Sequence, residues 1–349
     1  MQEGASMKLV VTVDVEEDQW GITPPRYATV NNVYRLPILQ KLFGEFGIVP
    51  TYLLTYPVVG DTRAAAMLRG MLDAGECEIG AHCHPWNTPP HREGGTKFNS
   101  MLNNLPSDLQ FEKLQCLHKA IQQTFEATPV AFRSGRWGFD LEVAKNLVRL
   151  GYRIDTSVTP YTSWDQESGP DFSHISPHPY TFAQESSNAS GVIGVLTEIP
   201  VSIGYLHGEF PACANLVRWL KESPLHKFKI CGLLSKLRVV RKVWLSPEME
   251  TPARMIQLVR QMRRQGYEVL NLVFHSSALM GGCGPFVRNR VDEQVFLLKL
   301  GSLLGCVRNE GIVFSSLSEA AQSMPSSSSA WKLRANSPIM MRSCRAGSS

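Results

Sequence analysis

Residues 7–15, MKLVVTVDV, narrow what this chain can become more than any other stretch. The run is apolar at odd and even positions alike, so as a strand it has no face to give to water and needs cover on both sides. A strand inside a parallel sheet wrapped by helices has that cover. Residues 1–6 before it are small and polar and read as an extension. The same rhythm then repeats along the chain. Helical spacing covers 33–46 and 61–74, the latter with Asp61 at its start and Gly75 past its end, and strands fall at 49–54 and 77–82. Ser107 is placed to cap a helix with an apolar stripe of Phe111, Leu114, Leu117, Ile121 and Phe125. It is followed by a strand at 129–132, a helix closed by Gly151, and a short strand at 152–154 ending in Asp155. After strand material at 192–203, Thr251 and Pro252 open a helix that Gly266 closes, and the strand 267–274 delivers His275. The series ends with a helix at 289–307, a strand at 311–314 and a short helix to Gln322. Strand and helix alternate about seven times, the pattern of an α/β chain closing into a (β/α) barrel. Such folds build their sites where strands end, so Asp14, Glu16, His82, His84, Arg133, Asp155 and His275 are expected to converge.

The stretch 78–87, EIGAHCHPWN, reads as a strand that ends by presenting two imidazoles. His82 and His84 are two apart and share one side of an extended chain, and Pro85 stops the strand beside Trp86. Two histidines and a carboxylate suit a divalent ion that keeps a position for water, and such an ion both acidifies water and polarises a carbonyl. The alternative is that one histidine packs inside and the other lies on the surface. Asp14 and Glu16 are also two apart, which lets one hold metal while the other serves as base, and their spacing does not choose between them. Asp14 has a turn-capping alternative, Arg133 a structural ion pair, Asp155 an Asx turn and His275 a core position.

Composition bounds the rest. At 349 residues and 43% apolar content the chain can bury a large core, and 27 glycines with 22 prolines leave room for long loops. Two are expected, at 86–106 beside the histidines and at 156–191. The net charge of +4 is too mild for nucleic acid, though it accommodates an anionic sugar or a membrane surface. Lysines and arginines among the apolar residues of 225–245 are read as a solvated helix face, with an anionic-lipid contact as the alternative. Eight cysteines lack any CxxC pair and predict free thiols, no export signal or spanning segment is visible, and the expected location is the cytoplasm. Residues 323–349 form a Ser-rich tail without periodicity, expected to be disordered.

TVDVEED at 12–18, AHCHPW at 81–86, FRSGRWG at 132–138, DTSVTP at 155–160 and VFHSSAL at 273–279 together resemble the five ordered motifs of the polysaccharide deacetylase family, the NodB-like carbohydrate esterases. The resemblance covers residues 7–322 and implies a distorted, incomplete (β/α) barrel of about seven strands carrying out metal-dependent deacetylation of an N-acetylated sugar, in a surface polysaccharide or lipid-linked glycan. By motif it implies Asp14 as base, with Glu16, His82 and His84 holding one ion, zinc foremost, with cobalt, manganese or nickel as alternatives. It implies that Arg133 orients Asp14, that His275 is the general acid, and that Asp155 tunes it. Trp86, Arg136 and Trp137 are the substrate-binding candidates. This chain departs from the family pattern in three places. Val15 separates the two acids, Cys83 alone separates the histidines, and Arg136 stands where a proline is common. A related amidase or deformylase on a small substrate, or a sugar-binding homologue without catalysis, are the other readings.

Overall fold

In the computed structural model, which describes residues 6–18, 20–21, 28–185, 192–222, 241–324 and 331–332, the run at the N-terminus becomes β1 (Lys8–Val15), buried throughout after Lys8. Along the chain follow α1 (Leu36–Gly44), β2 (Thr51–Leu54), α2 (Tyr56–Gly60), α3 (Thr62–Asp73) and β3 (Glu78–Cys83). Then come α4 (Ser107–Phe125), β4 (Ala131–Ser134), α5 (Leu141–Arg149), β5 (Ile154–Asp155), β6 (Tyr180–Glu185), β7 (Val192–Glu198) and β8 (Ile203–Tyr205). The remainder is α6 (Phe210–Glu222), β9 (Lys242–Trp244), α7 (Pro252–Arg264), β10 (Val269–His275), α8 (Arg290–Asn309), β11 (Val313–Phe314), α9 (Leu317–Gln322) and β12 (Trp331–Lys332).

Seven strands run parallel in the order β10-β1-β2-β3-β4-β5-β7, and β6 closes onto β7 antiparallel. The sheet curls into an open half-barrel. Its gap is bridged by the β8–β9 ribbon, since Ser202 N–H donates to the Asn271 carbonyl and Val273 N–H to that of Leu245. Register does the functional work, because parallel pairing sets Asp14 beside His275, His82 beside Arg133, and Asp155 beside Glu198. All these residues lie at the C-terminal strand ends, as barrel logic requires. Among the described residues no helix is long and apolar enough to cross a membrane.

Local chemistry explains most boundaries. Asp61 Oδ1 accepts from Ala64 N–H at 2.8 Å and Asn289 Oδ1 from Val291 N–H at 2.9 Å, each starting its helix. Gly266, at φ +76°, ends α7 in the left-handed region. Ser107 is not the cap expected of it: its hydroxyl donates to Glu142 at 2.6 Å, tying α4 to α5. The stretch 156–191 is not a single loop, because it contains β6, which extends the sheet beyond β7 and pairs in turn with β12. The strand expected over 192–203 breaks at Pro200 into β7 and β8, since a proline cannot donate to a ladder. Residues 1–5 of the N-terminal extension, most of 225–245 and nearly all of the tail lie outside the described residues. All six described cysteines are free.

One buried cation anchors the loop behind the histidine pair. Lys113 on α4 is fully buried and donates to the carbonyls of Pro85, Thr88 and Pro90 at 2.9, 2.7 and 2.7 Å, and it pairs with Glu93 at 2.7 Å. Removing the ammonium strands three carbonyls and a buried carboxylate. Lys113→Met is therefore expected to lower stability by about 3–5 kcal/mol, measured by urea unfolding against the parent.

Candidate active site

Glu16 follows β1, and its Oε1 lies 2.8 Å from His82 Nε2 and 3.2 Å from His84 Nε2. The one-residue histidine spacing thus brings both imidazoles to one point, as strand alternation predicts. His82 Nδ1 donates to the Arg133 carbonyl at 3.0 Å, which fixes that proton and leaves Nε2 facing a carboxylate. A contact of that length needs a second proton or a cation between the two atoms. Burial works against charge on both partners, but Asp14 and Glu16 hold the His82 pKa above its ordinary value, and His84 and His82 hold the Glu16 carboxyl well below the usual range. The ligand atoms of Glu16, His82 and His84 lie within 4.8 Å of one another. Two imidazoles and a carboxylate, all buried and already configured around positive charge, fit a divalent metal ion. Asp14, Glu16 and His275 form a second group of the same compactness.

Gly135 makes room for this arrangement. A Cβ there would come 2.2 Å from His84 Nδ1, an atom that is buried and has no hydrogen-bond partner. The other face of the His84 ring packs on Trp86, with centroids 4.1 Å apart.

Arg133 is fully buried on β4 and its guanidinium forms the floor. It donates from Nη1 to Asp14 Oδ1 at 2.6 Å, from Nη2 to Thr12 Oγ1 at 2.6 Å and to Thr156 Oγ1 at 3.0 Å, and from Nε to the Thr156 carbonyl at 2.9 Å. Asn271 closes the layer, accepting from Thr12 at 2.8 Å and donating to Thr156 at 2.7 Å. One oxygen of Asp14 is thus engaged below, while Oδ2 faces His275 Nε2 at 3.7 Å.

The partner of His275 is Glu248, not Asp155. Glu248 Oε2 accepts from His275 Nδ1 at 3.0 Å and its Oε1 from the His275 N–H at 3.1 Å. Burial opposes the imidazolium, yet Glu248 foremost, with Glu16 and Asp14, lifts the His275 pKa to about 10. Asp155 sits deeper. Its carboxylate accepts from Ser157 N–H at 3.0 Å and Ser157 Oγ at 2.7 Å, the Asx-turn geometry, and it lies beside Glu198 in the β5–β7 register. Burial and the neighbouring Asp155 charge push the Glu198 carboxyl well above the usual range. Asp155 does not line the cavity, and the carboxylate in contact with His275 is that of Glu248 rather than Asp155.

The cavity above these groups measures about 460 Å³. Indoles dominate its walls: Trp20, Trp86, Trp137, Trp164 and Trp244, with Phe286 and Met101 between them. Trp20 lies 4.6 Å from the His275 ring, and Trp137 5.8 Å from Trp244. Arg136 also lines the cavity and is bound to Glu167 at 2.9 Å. Glu17 is a third buried acid of the first motif; it accepts from Asn87 at 2.8 Å and Thr55 at 3.1 Å, and so ties the end of β1 to the histidine loop. Sequence reasoning missed Glu248, Trp20 and Trp244. The signal available for Glu248 was the first of two acids, with Glu250, after the Ser-Pro turn that follows β9, and nothing local says that this turn reaches β10.

No family model and no curated protein matches the sequence. Similar folds occur among solved structures: a protein from Mycobacterium smegmatis assigned as a polysaccharide deacetylase (TM-score 0.55, 18% identity, 92% of this chain and 91% of that one); one from Pseudomonas aeruginosa PAO1 assigned likewise (TM-score 0.52, 10% identity, 92% of each chain); and Puue allantoinase (TM-score 0.51, 10% identity, 92% and 91%). At these identities the likeness is one of fold: the chain is built as the polysaccharide deacetylases are, a NodB-like distorted barrel.

Metal stoichiometry, metal affinity and its pH dependence test the candidate metal site. Elemental analysis after reconstitution is expected to find about one tightly held ion in the parent and none in His82→Ala or His84→Ala. Gly135→Ala, which drives a methyl into the His84 ring, is expected to weaken metal affinity by about 10–100-fold, as loss of a supporting contact does. Because the ion displaces the His82 proton, affinity should fall as pH drops below that raised value, and uptake should release protons into weakly buffered solution.

Proposed function

We propose that this protein is a metal-dependent hydrolase that removes the acetyl group from an N-acetylated amino sugar, in a surface polysaccharide or lipid-linked glycan. One observation carries the reading: a cluster suited to a divalent ion lies between a carboxylate held by a buried arginine and an imidazolium held by a buried glutamate, within one cavity. The shared fold supports the substrate class. A divalent ion bound by Glu16, His82 and His84, zinc by the character of its donors, supplies Lewis acidity toward an amide carbonyl and acidifies water.

The chain's own groups move the protons. Arg133 occupies Asp14 Oδ1, so Oδ2 takes the proton of the attacking water. His275, protonated through neutral pH, gives its Nε2 proton to the leaving amine while Glu248 holds Nδ1 and the ring plane. Acetate and the free amino sugar result. The indole walls offer flat apolar surfaces to the sugar ring. Retention of both proton-transfer groups argues against a binder without catalysis. The compact cavity and the allantoinase fold favour one other reading, a small non-acetyl amide.

Asp14→Asn is expected to reduce turnover about 10²–10⁴-fold, read as acetate released by the metal-loaded protein from a panel of N-acetylated glycans and nucleotide sugars. No acetate from the parent across that panel, with cleavage of another amide, would refute the sugar reading. Glu248→Gln removes the largest support of the His275 charge. In a proton NMR titration the parent ring should hold its proton until the pH approaches about 10, and the variant should lose it at lower pH. Since a raised histidine pKa stabilises the fold on its acid side, the parent's stability advantage over the variant should be complete in acid and vanish as pH rises through that value.

A further inference from the structure

We propose that Arg136 forms an anion subsite in the cavity wall, so that the enzyme selects an amino sugar bearing a phosphate or carboxylate group; this rests on the sugar reading above. Arg136 follows β4 in a tight turn with φ 54° and ψ 21°, and Trp137 follows at φ 64°. Two successive side-chain-bearing residues in the left-handed region are disfavoured, and such strain persists where the surroundings demand a particular placement. Here the placement sets a guanidinium and an indole side by side on the cavity wall.

The guanidinium is under-used. It has five N–H donors, and among the described residues it makes a single hydrogen bond, from Nη2 to Glu167 Oε2 at 2.9 Å. Glu167 is itself shared, since Lys97 Nζ lies 2.9 Å from the same oxygen. One carboxylate therefore faces two cations, leaving one positive charge uncompensated. The other cavity-lining arginine, Arg133, is consumed by Asp14, Thr12 and Thr156. The remaining charged groups that line the cavity are the carboxyls Asp14, Glu16, Glu17 and Glu248 and the site histidines, whose partners lie among themselves, Arg133, Asn87 and Thr55. Arg136 is left as the cation with donors to spare. A planar fork of N–H groups matches the paired oxygens of a phosphate or carboxylate. Trp137 and Trp164 line the same cavity and offer flat surfaces for a sugar ring.

The test is calorimetric titration of the full chain, freed of metal so that nothing turns over. The probes are N-acetylglucosamine, its 1-phosphate, the corresponding uronic acid and inorganic phosphate. The parent should bind a charged sugar at least about ten-fold more tightly than the neutral one, and whether the phosphate or the uronate gains identifies the source of the anion. Arg136→Gln should collapse that ratio toward one. Arg136→Gly should do the same in a protein that folds without strain at this turn. Glu167→Gln, which removes the competing carboxylate, should widen the ratio, whereas a purely structural ion pair would leave the ratio unmoved in all three variants. Equal affinity of neutral and charged sugars in the parent, or a preference that survives Arg136→Gln, would overturn the proposal. If no sugar binds, the sugar reading falls. Inorganic phosphate then decides the subsite alone: heat of binding lost in Arg136→Gln upholds it, and no heat in the parent overturns it.

Discussion

The buried pair of Arg133 and Asp14 is the interaction on which the rest of the site depends. A guanidinium with no solvent exposure, bound to one carboxylate and two threonine hydroxyls, joins β4 to β1 and β5 across the inside of the half-barrel. Its stability comes from completeness rather than attraction alone, because an isolated buried charge costs several kcal/mol and only full pairing offsets it. The pair leaves one Asp14 oxygen bound and one available. The Arg133 carbonyl meanwhile fixes the His82 proton, so one residue sets the orientation of both the carboxylate and a histidine.

Above that floor, acids outnumber cations. Asp14, Glu16, Glu17 and Glu248 crowd the strand ends, and the imidazoles of His82 and His275 respond by holding their protons more tightly than usual. A divalent cation held by Glu16, His82 and His84 would answer the same excess. The walls are the reverse: indoles line the cavity, and their apolar surface strengthens electrostatic contacts close to it. Apolar walls over a charged floor suit a ligand with a flat carbon face and one polar bond to be broken.

Much of this was legible in the chain. The doubly apolar β1, the Asp61 and Asn289 helix starts and the glycine stops are local signals, and the structure places them within a few residues of where they read. Same-face pairs such as Asp14 with Glu16 and His82 with His84 are equally local, because a spacing of two along a strand fixes a common side. Ser107 and the stretch 156–191 read differently from how they fold, since a serine that looks like a cap bonds instead to a neighbouring helix, and a strand with weak alternation needs its partner β7 to exist. Asp155 shows the limit most clearly. Its motif places it at a strand end, but its depth and its pairing with Glu198 follow from register, which no single strand encodes.

The sequence by itself determined the strand-and-helix rhythm, the metal-suited donor set and the polar ends of the strands, since each depends on periodicity or spacing within one element. Only the tertiary structure decided that Glu248 rather than Asp155 holds His275, that Glu16 stands between both histidines while Asp14 belongs to Arg133, and that Trp20 and Trp244 close the cavity. Those contacts join residues as far apart in sequence as Trp20 and His275, and the packing of a curled sheet, not the chemistry of any one segment, brings them into reach.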